Sequence, residues 1–243
     1  MMRRLACLLT GILALIASSA GANSIPDVAV SLQVGENTPS VLSPVGKETS
    51  NPNQFTFEGL EVGSDWTLGW NMTVDVDPFV TSNFSVLNNT AVNQIYTVIV
   101  TLPVAPLAPS TLVGGSVQGG ITSNATPGTL STFAPSAMYT ALIDGVAVPG
   151  GLLYSDPTSV SSGAFLSNTL GAAAFGTPIP SLAGPAVLGS IGIQLKFQLT
   201  PGDQASFTSV FVVEQVPEPA TFAMLSGGLM GLAAFGRRRY SRS

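Results

Sequence analysis

Histidine is absent from this 243-residue chain, and its single cysteine, Cys7, lies in an apolar segment near the start. The first absence removes the side chain most often used as a general base near neutral pH and as a zinc ligand. The second leaves the chain beyond that segment without disulfides or thiol chemistry. Positive charge is almost as scarce. Arg3, Arg4, Arg237, Arg238, Arg239 and Arg242 lie at the two ends, and only Lys47 and Lys196 lie between them. Residues 23–216 set twelve carboxylates against those two lysines, a net charge of −10. Nucleic acid is excluded as a partner on this ground, because binding it needs cations that displace counterions from phosphates. Helical stripes and repeats of fixed period are also missing, which argues against a solenoid. The charge-poor surface that remains, rich in Ser, Thr, Gly and Asn, fits an extracellular module.

What is present is clearest at the ends. Arg3 and Arg4 precede an apolar run over residues 5–17, and Ser18-Ser19-Ala20-Gly21-Ala22 follows it. A charged start, a short apolar centre and a small-residue Ala20-x-Ala22 site make a signal peptide over residues 1–22, cut by signal peptidase after Ala22. An uncleaved anchor is the alternative, but the run is too short to span a bilayer comfortably. At the other end Val216-Pro217-Glu218-Pro219 is followed by an almost wholly apolar stretch, residues 220–236, and then by Arg237-Arg238-Arg239. Two prolines flanking a glutamate cannot enter a helix interior or a central strand, so this segment is expected to be an exposed linker. A helix over the apolar stretch would be about 26 Å long, slightly short of a bilayer core of about 30 Å. Arginines prefer the cytoplasmic side, so such a transmembrane helix holds the body outside.

These residues, Val216-Pro217-Glu218-Pro219-Ala220, the glycine-rich apolar run and the triple arginine, resemble the PEP-CTERM sorting signal. The resemblance covers only residues 216–243. It implies a Gram-negative bacterium whose exosortase, a membrane-embedded cysteine protease or transpeptidase, recognises the tail and cuts near Pro217-Glu218-Pro219. It also implies a membrane-anchored precursor, then a place at the cell surface or in an exopolysaccharide and biofilm matrix. The same tail is also described as an ice-binding-protein C-terminal domain.

The body, residues 23–215, reads as one extracellular β-rich domain. Alternating or β-branched runs separated by Gly, Pro, Asn, Asp and Ser predict strands over 27–34, 54–57, 66–76, 79–87, 94–102, 138–143, 191–200 and 206–213. Thr200-Pro201-Gly202-Asp203 carries turn residues between the last two, which predicts a hairpin. Segments 103–128 and 171–184, rich in Pro, Gly, Ser and Ala, read as long loops or weak strands. Phe165-Leu166 with residues 170–175 is a candidate short helix. The fold expected is an antiparallel β-sandwich, of jelly-roll or immunoglobulin-like type, followed by the single C-terminal helix.

Candidate chemistry is thin. Asp75 and Asp77 alternate on one expected strand and would share a face, where they could bind Ca²⁺ or, with Glu58, act on a sugar; the alternative is a solvated strand end before Pro78. Glu58 and Glu61 are most simply loop charges. A nucleophilic serine would have only Lys47 or Lys196 as base. The glycine-rich pieces at 113–116 and 118–120 lack the Gly-Lys-Ser/Thr ending of a phosphate loop, and no cofactor is expected. Trp66 and Trp70, with Tyr96, are either a sugar platform or core, and their shared strand face favours core. Asn71, Asn83, Asn88 and Asn124 begin Asn-x-Ser/Thr patterns. No Thr-x-Thr ladder of the kind that marks a flat ice-binding face occurs. The preferred reading is therefore a non-enzymatic surface or matrix protein delivered by exosortase and associated with exopolysaccharide. Behind it stand a carbohydrate-binding or ice-binding module, and then a carboxylate-dependent glycosidase. Mass spectrometry of the protein from its own cells should find Asn23 as the first residue; Met1 at the terminus would remove the cleavage assignment.

Overall fold

The computed structural model describes residues 24–216. In chain order the strands are β1 (Ala29–Val34), β2 (Ser40–Leu42), β3 (Gly46–Glu48), β4 (Gln54–Val62), β5 (Trp66–Asp75) and β6 (Phe79–Asn88). They continue with β7 (Gln94–Pro103), β8 (Thr111–Thr122), β9 (Gly128–Ser131), β10 (Tyr139–Ile143), β11 (Val146–Leu153) and β12 (Ser159–Ser162). Three short strands, β13 (Ser167–Thr169), β14 (Ala173–Phe175) and β15 (Leu182–Gly184), precede the long β16 (Ser190–Leu199) and β17 (Gln204–Gln215). All pairings are antiparallel. One sheet runs β11-β10-β16-β7-β1-β2, with β9 on β16 and β12 on β9; the other runs β8-β17-β6-β5-β4-β3. The strands β13, β14 and β15 pair in succession along β8.

Alternation explains why two sheets form and why they stack. In β16, Ile191, Ile193, Leu195, Phe197 and Leu199 are buried while Gln194, Lys196 and Gln198 are not. In β17, Ala205, Phe207, Phe211 and Val213 point the same way. Strands with one apolar face gain about 25 cal/mol for each Å² of that face removed from water, and two such sheets bury it against each other. Phe197 of one sheet meets Phe207 of the other with ring centroids 4.9 Å apart. Tyr139 reaches across the core to donate its hydroxyl to the Val210 carbonyl at 2.9 Å. Burial pushes this phenol well above its ordinary pKa, so it stays a neutral donor. The buried Ser82 and Ser209 hydroxyls share a hydrogen bond at 2.7 Å, so each has a partner.

The expected hairpin at residues 200–203 is corrected. β16 pairs with β7, β9 and β10, whereas β17 pairs with β6 and β8, so the turn carries the chain from one sheet to the other. Both strands point their apolar faces inward, and crossing between layers lets each do so in its own sheet. The crossing is fixed by buried polar groups. The fully buried Asp203 accepts the Asn124 N–H at 2.9 Å and the Thr200 hydroxyl, which in turn accepts the Thr129 N–H at 2.7 Å. The buried Asn88 amide donates to the carbonyls of Val92, Leu199 and Thr200. A Cβ on Gly128 would run into Asp203 Oδ2, so glycine is required there by contact.

Other expectations also change. Within segment 103–128, β8 is a twelve-residue strand beside β17. Its glycines admit neighbours: a Cβ on Gly115 would meet Tyr139 Oη and the Phe175 ring at 2.7 Å, and one on Gly119 would meet the Phe207 ring at the same distance. Segment 171–184 supplies β14 and β15. The helix expected around Phe165 is instead a turn, with Phe165 at φ 59°, followed by strands. β4 runs on to Val62, and β5 stops at Asp75. The described residues contain no helix, and none there is long and apolar enough to cross a membrane. The C-terminal helix expected over residues 220–236 lies outside them.

Asp144, at φ 51° in the β10–β11 turn, holds the loop before β16. Its carboxylate accepts the N–H groups of Leu188, Gly189 and Ser190 at 2.7, 2.8 and 2.9 Å. Desolvation, the largest single influence, would raise its pKa, but the three N–H groups together outweigh it and hold the carboxyl below its ordinary value.

Two outcomes follow from these contacts. Gly128→Ala should lower stability by about 2 kcal/mol, read as a lower denaturation midpoint at unchanged slope; an unchanged midpoint would remove Asp203 as the centre of the crossing. Because the folded pKa of Asp144 is lowered, the stability it contributes is complete above the ordinary aspartate value and drains as pH falls through the folded value. Asp144→Ala should therefore lose stability at pH 7, and the gap from the unaltered protein should narrow on acidification. A gap that widens toward low pH would contradict the assignment.

Candidate functional site

The outward face of the second sheet is polar and nearly uncharged. Antiparallel register brings Glu58, Asn71, Asn83, Thr208 and Gln118 into one row across five strands. Asn71 donates to Glu58 Oε1 at 3.1 Å, and the Thr208 hydroxyl donates to Asn83 Oδ1 at 2.7 Å. The adjacent row reads Leu60, Gly69, Ser85, Ser206, Gly120 and Thr169. A Cβ at Gly69 would stand 2.8 Å from Ser85 Oγ, and one at Gly120 would stand 3.0 Å from the Asn168 carbonyl. At both places the neighbouring strand already occupies the room a side chain would need. The result is an open groove of about 590 Å³ running across the strands from β5 to β13. At 4.7–4.9 Å per strand its length is about 19 Å. In the row toward the end where β17 finishes, Thr56, Thr73 and Thr81 stand side by side on β4, β5 and β6.

The residues singled out from the sequence fall in different places. Trp66 and Trp70 share the inner face of β5 and pack against the core, and Tyr96 is fully buried beside Phe197 at 5.8 Å between centroids. Trp66 and Tyr96 do not line the groove, whereas Trp70 is among the residues beneath it. Asp75 and Asp77 do not share a strand: Asp75 ends β5, Asp77 lies in the turn, and Asp75 Oδ1 accepts the Asp77 N–H at 3.0 Å. Glu58 pairs with Asn71 and Asp75 with Gln54, a displacement of four residues, or about 14 Å along the strands. Among the described residues no group of three or more Asp, Glu, Cys or His could hold a metal ion. Lys47 is exposed on β3, and Lys196 lies over the Phe133 ring at 5.4 Å. Asn71, Asn83 and Asn124 are exposed, whereas Asn88 is buried at the sheet crossing and closed to modification.

Ala20, Ala22, Pro217, Glu218, Pro219, Arg237, Arg238 and Arg239 lie outside the described residues. Val216 is the last residue described, and its N–H donates to the Ser110 carbonyl at 2.9 Å. β17 thus runs directly into the tail. β1 begins beside the Thr101 end of β7, and β17 finishes beside Thr111, so both flanking segments leave the sandwich at the same end. Thr208 and Gln118 lie seven residues from that end, about 24 Å along the strands.

Sequence reasoning missed the groove because its members come from β5, β6, β8, β13 and β17, and only cross-strand register assembles them. Residues 215–239 match the family described as the PEP-CTERM protein-sorting motif. No curated protein and no solved structure matches the chain.

Proposed function

We propose, from the PEP-CTERM sorting motif at residues 215–239, that this is a non-enzymatic cell-surface or matrix protein whose body associates with exopolysaccharide. The motif implies an exported, membrane-anchored precursor processed by exosortase. The single observation that carries the reading is the continuity of β17, which ends at Gln215, with the matched tail. Signal peptidase acts after Ala22, exosortase acts near Pro217-Glu218-Pro219, and the apolar stretch 220–236 with Arg237, Arg238 and Arg239 inside holds the precursor in the membrane. The exit of both flanking segments at one end of the sandwich supports this arrangement, because it leaves the groove clear of the bilayer.

The carboxylates support a body without catalysis. Paired acids in glycoside hydrolysis stand about 5–9.5 Å apart, less than the displacement between Glu58 and Asp75. Glu58 is engaged by Asn71, and Asp75 is engaged by the Asp77 N–H. Neither lysine is placed as the base of a serine: one covers an aromatic ring and the other lies on an edge strand. Removing residues 217–243 should transfer the protein from the envelope to the medium. Envelope retention equal to that of the full chain would defeat the proposal.

A further inference from the structure

The groove on the second sheet differs from the rest of the surface in what it lacks. The body carries a net charge of −10, yet the groove's rows hold one charged side chain, Glu58, at one end and already hydrogen-bonded. The side chains of Gln118, Ser85 and Ser206 make no hydrogen bond among the described residues. Asn83 uses its carbonyl to accept from Thr208 and keeps both amide hydrogens free. Asn71 donates to Glu58 and keeps its carbonyl free. Free donors and acceptors therefore lie side by side across an open surface.

We infer that this groove binds an extended, uncharged polysaccharide, lying across β5, β6, β17 and β8. The inference rests on the proposed association with exopolysaccharide and names the class of polymer. Sugar hydroxyls both donate and accept, as do the amide and hydroxyl groups that face them. A polymer of uronates or other anionic sugars would approach an acidic body against its field and find no cation in the groove. A polycation would seek the carboxylates outside the groove. An open trough about 19 Å long suits an extended stretch of polymer. The polar side chains along the trough fix the orientation of a sugar ring laid in it.

The test uses the processed protein purified from its own cells. Its probes are a β-linked glucan, a mannan, polygalacturonate and the neutral fraction of the exopolysaccharide those cells make. Binding to at least one neutral polymer is expected, with little dependence on salt because no ion pair is involved. The Asn83→Ala/Gln118→Ala double variant removes two hydrogen-bonding side chains, and Ser206→Tyr fills the trough with a residue suited to a strand. Each should weaken binding at least about tenfold while the thermal midpoint holds. Gln194→Ala, on the outward face of the other sheet, should bind as the unaltered protein does. Four results would overturn the inference: no binding to any neutral polymer, binding to polygalacturonate alone, binding that both groove variants retain, or thermal hysteresis in place of glycan binding. Loss of the tail alters location and leaves this groove intact, so the two proposals fail separately.

Discussion

The contact between Phe197 and Phe207, 4.9 Å from centroid to centroid, joins two residues ten apart in sequence that belong to different sheets. Everything around it serves that crossing. β16 can bury Ile191 to Leu199 only in the first sheet, and β17 can bury Ala205 to Val213 only in the second, so the four residues between them must turn the chain from layer to layer. Asp203 is fully buried in that turn and Thr200, Pro201 and Gly202 are half-buried, so backbone groups there are taken from water, and each unpaired one costs several kcal/mol by transfer measurements. Asn88 and Asp203 remove that cost. One supplies amide hydrogens to three carbonyls, and the other accepts an N–H and a hydroxyl. The aromatic contact sets where the layers meet, and the polar cluster makes the meeting point tolerable.

The core strands were legible because their alternation is strong. In β16 every second residue from Ile191 to Leu199 is apolar, and no other local structure satisfies that period. The error at residues 200–203 came from the same strength. Two alternating runs joined by Pro and Gly have the pattern of a hairpin, and pattern alone does not distinguish pairing within a sheet from stacking between sheets. Charge could not decide it, but a fully buried Asp203 beside the turn was the feature out of place for a solvent-exposed hairpin. β8 was lost for the opposite reason. Gly114, Gly115, Gly119 and Gly120 erase its alternation, although the bulk those positions omit is supplied in part by Tyr139, Phe175 and Phe207 lying over the backbone. Glycine reads as a breaker along the chain and acts here as a socket across it.

The same distinction between along and across governs the candidate site. The terminal motif is linear, so Val216-Pro217-Glu218-Pro219 and the arginine cluster could be read directly. The groove has no linear signature. Asn71, Asn83, Thr208 and Gln118 are neighbours only through register, and the row Thr56, Thr73 and Thr81 leaves no Thr-x-Thr pattern in the sequence because its period is the spacing between strands. Register itself is set by the inner face, since a one-residue slip would bury the polar rows and expose the apolar ones. Burial of Phe84 and Phe207 thus fixes the outward alignment of Asn83 with Thr208.

This coupling separates what the two parts of the chain are free to change. A sorting tail must keep its order of proline, glutamate, apolar run and arginine, because a membrane and a protease meet it as a linear segment. The sandwich must keep only the inward half of each long strand and the crossing cluster. Its outward residues contribute little to stability, as exposed polar positions on a strand generally do. The groove therefore lies on positions that the fold leaves open, held in register by positions it does not. With β17 passing through the middle of that sheet and ending at the tail, one strand both aligns the groove and ties it to the segment that determines where the protein is delivered.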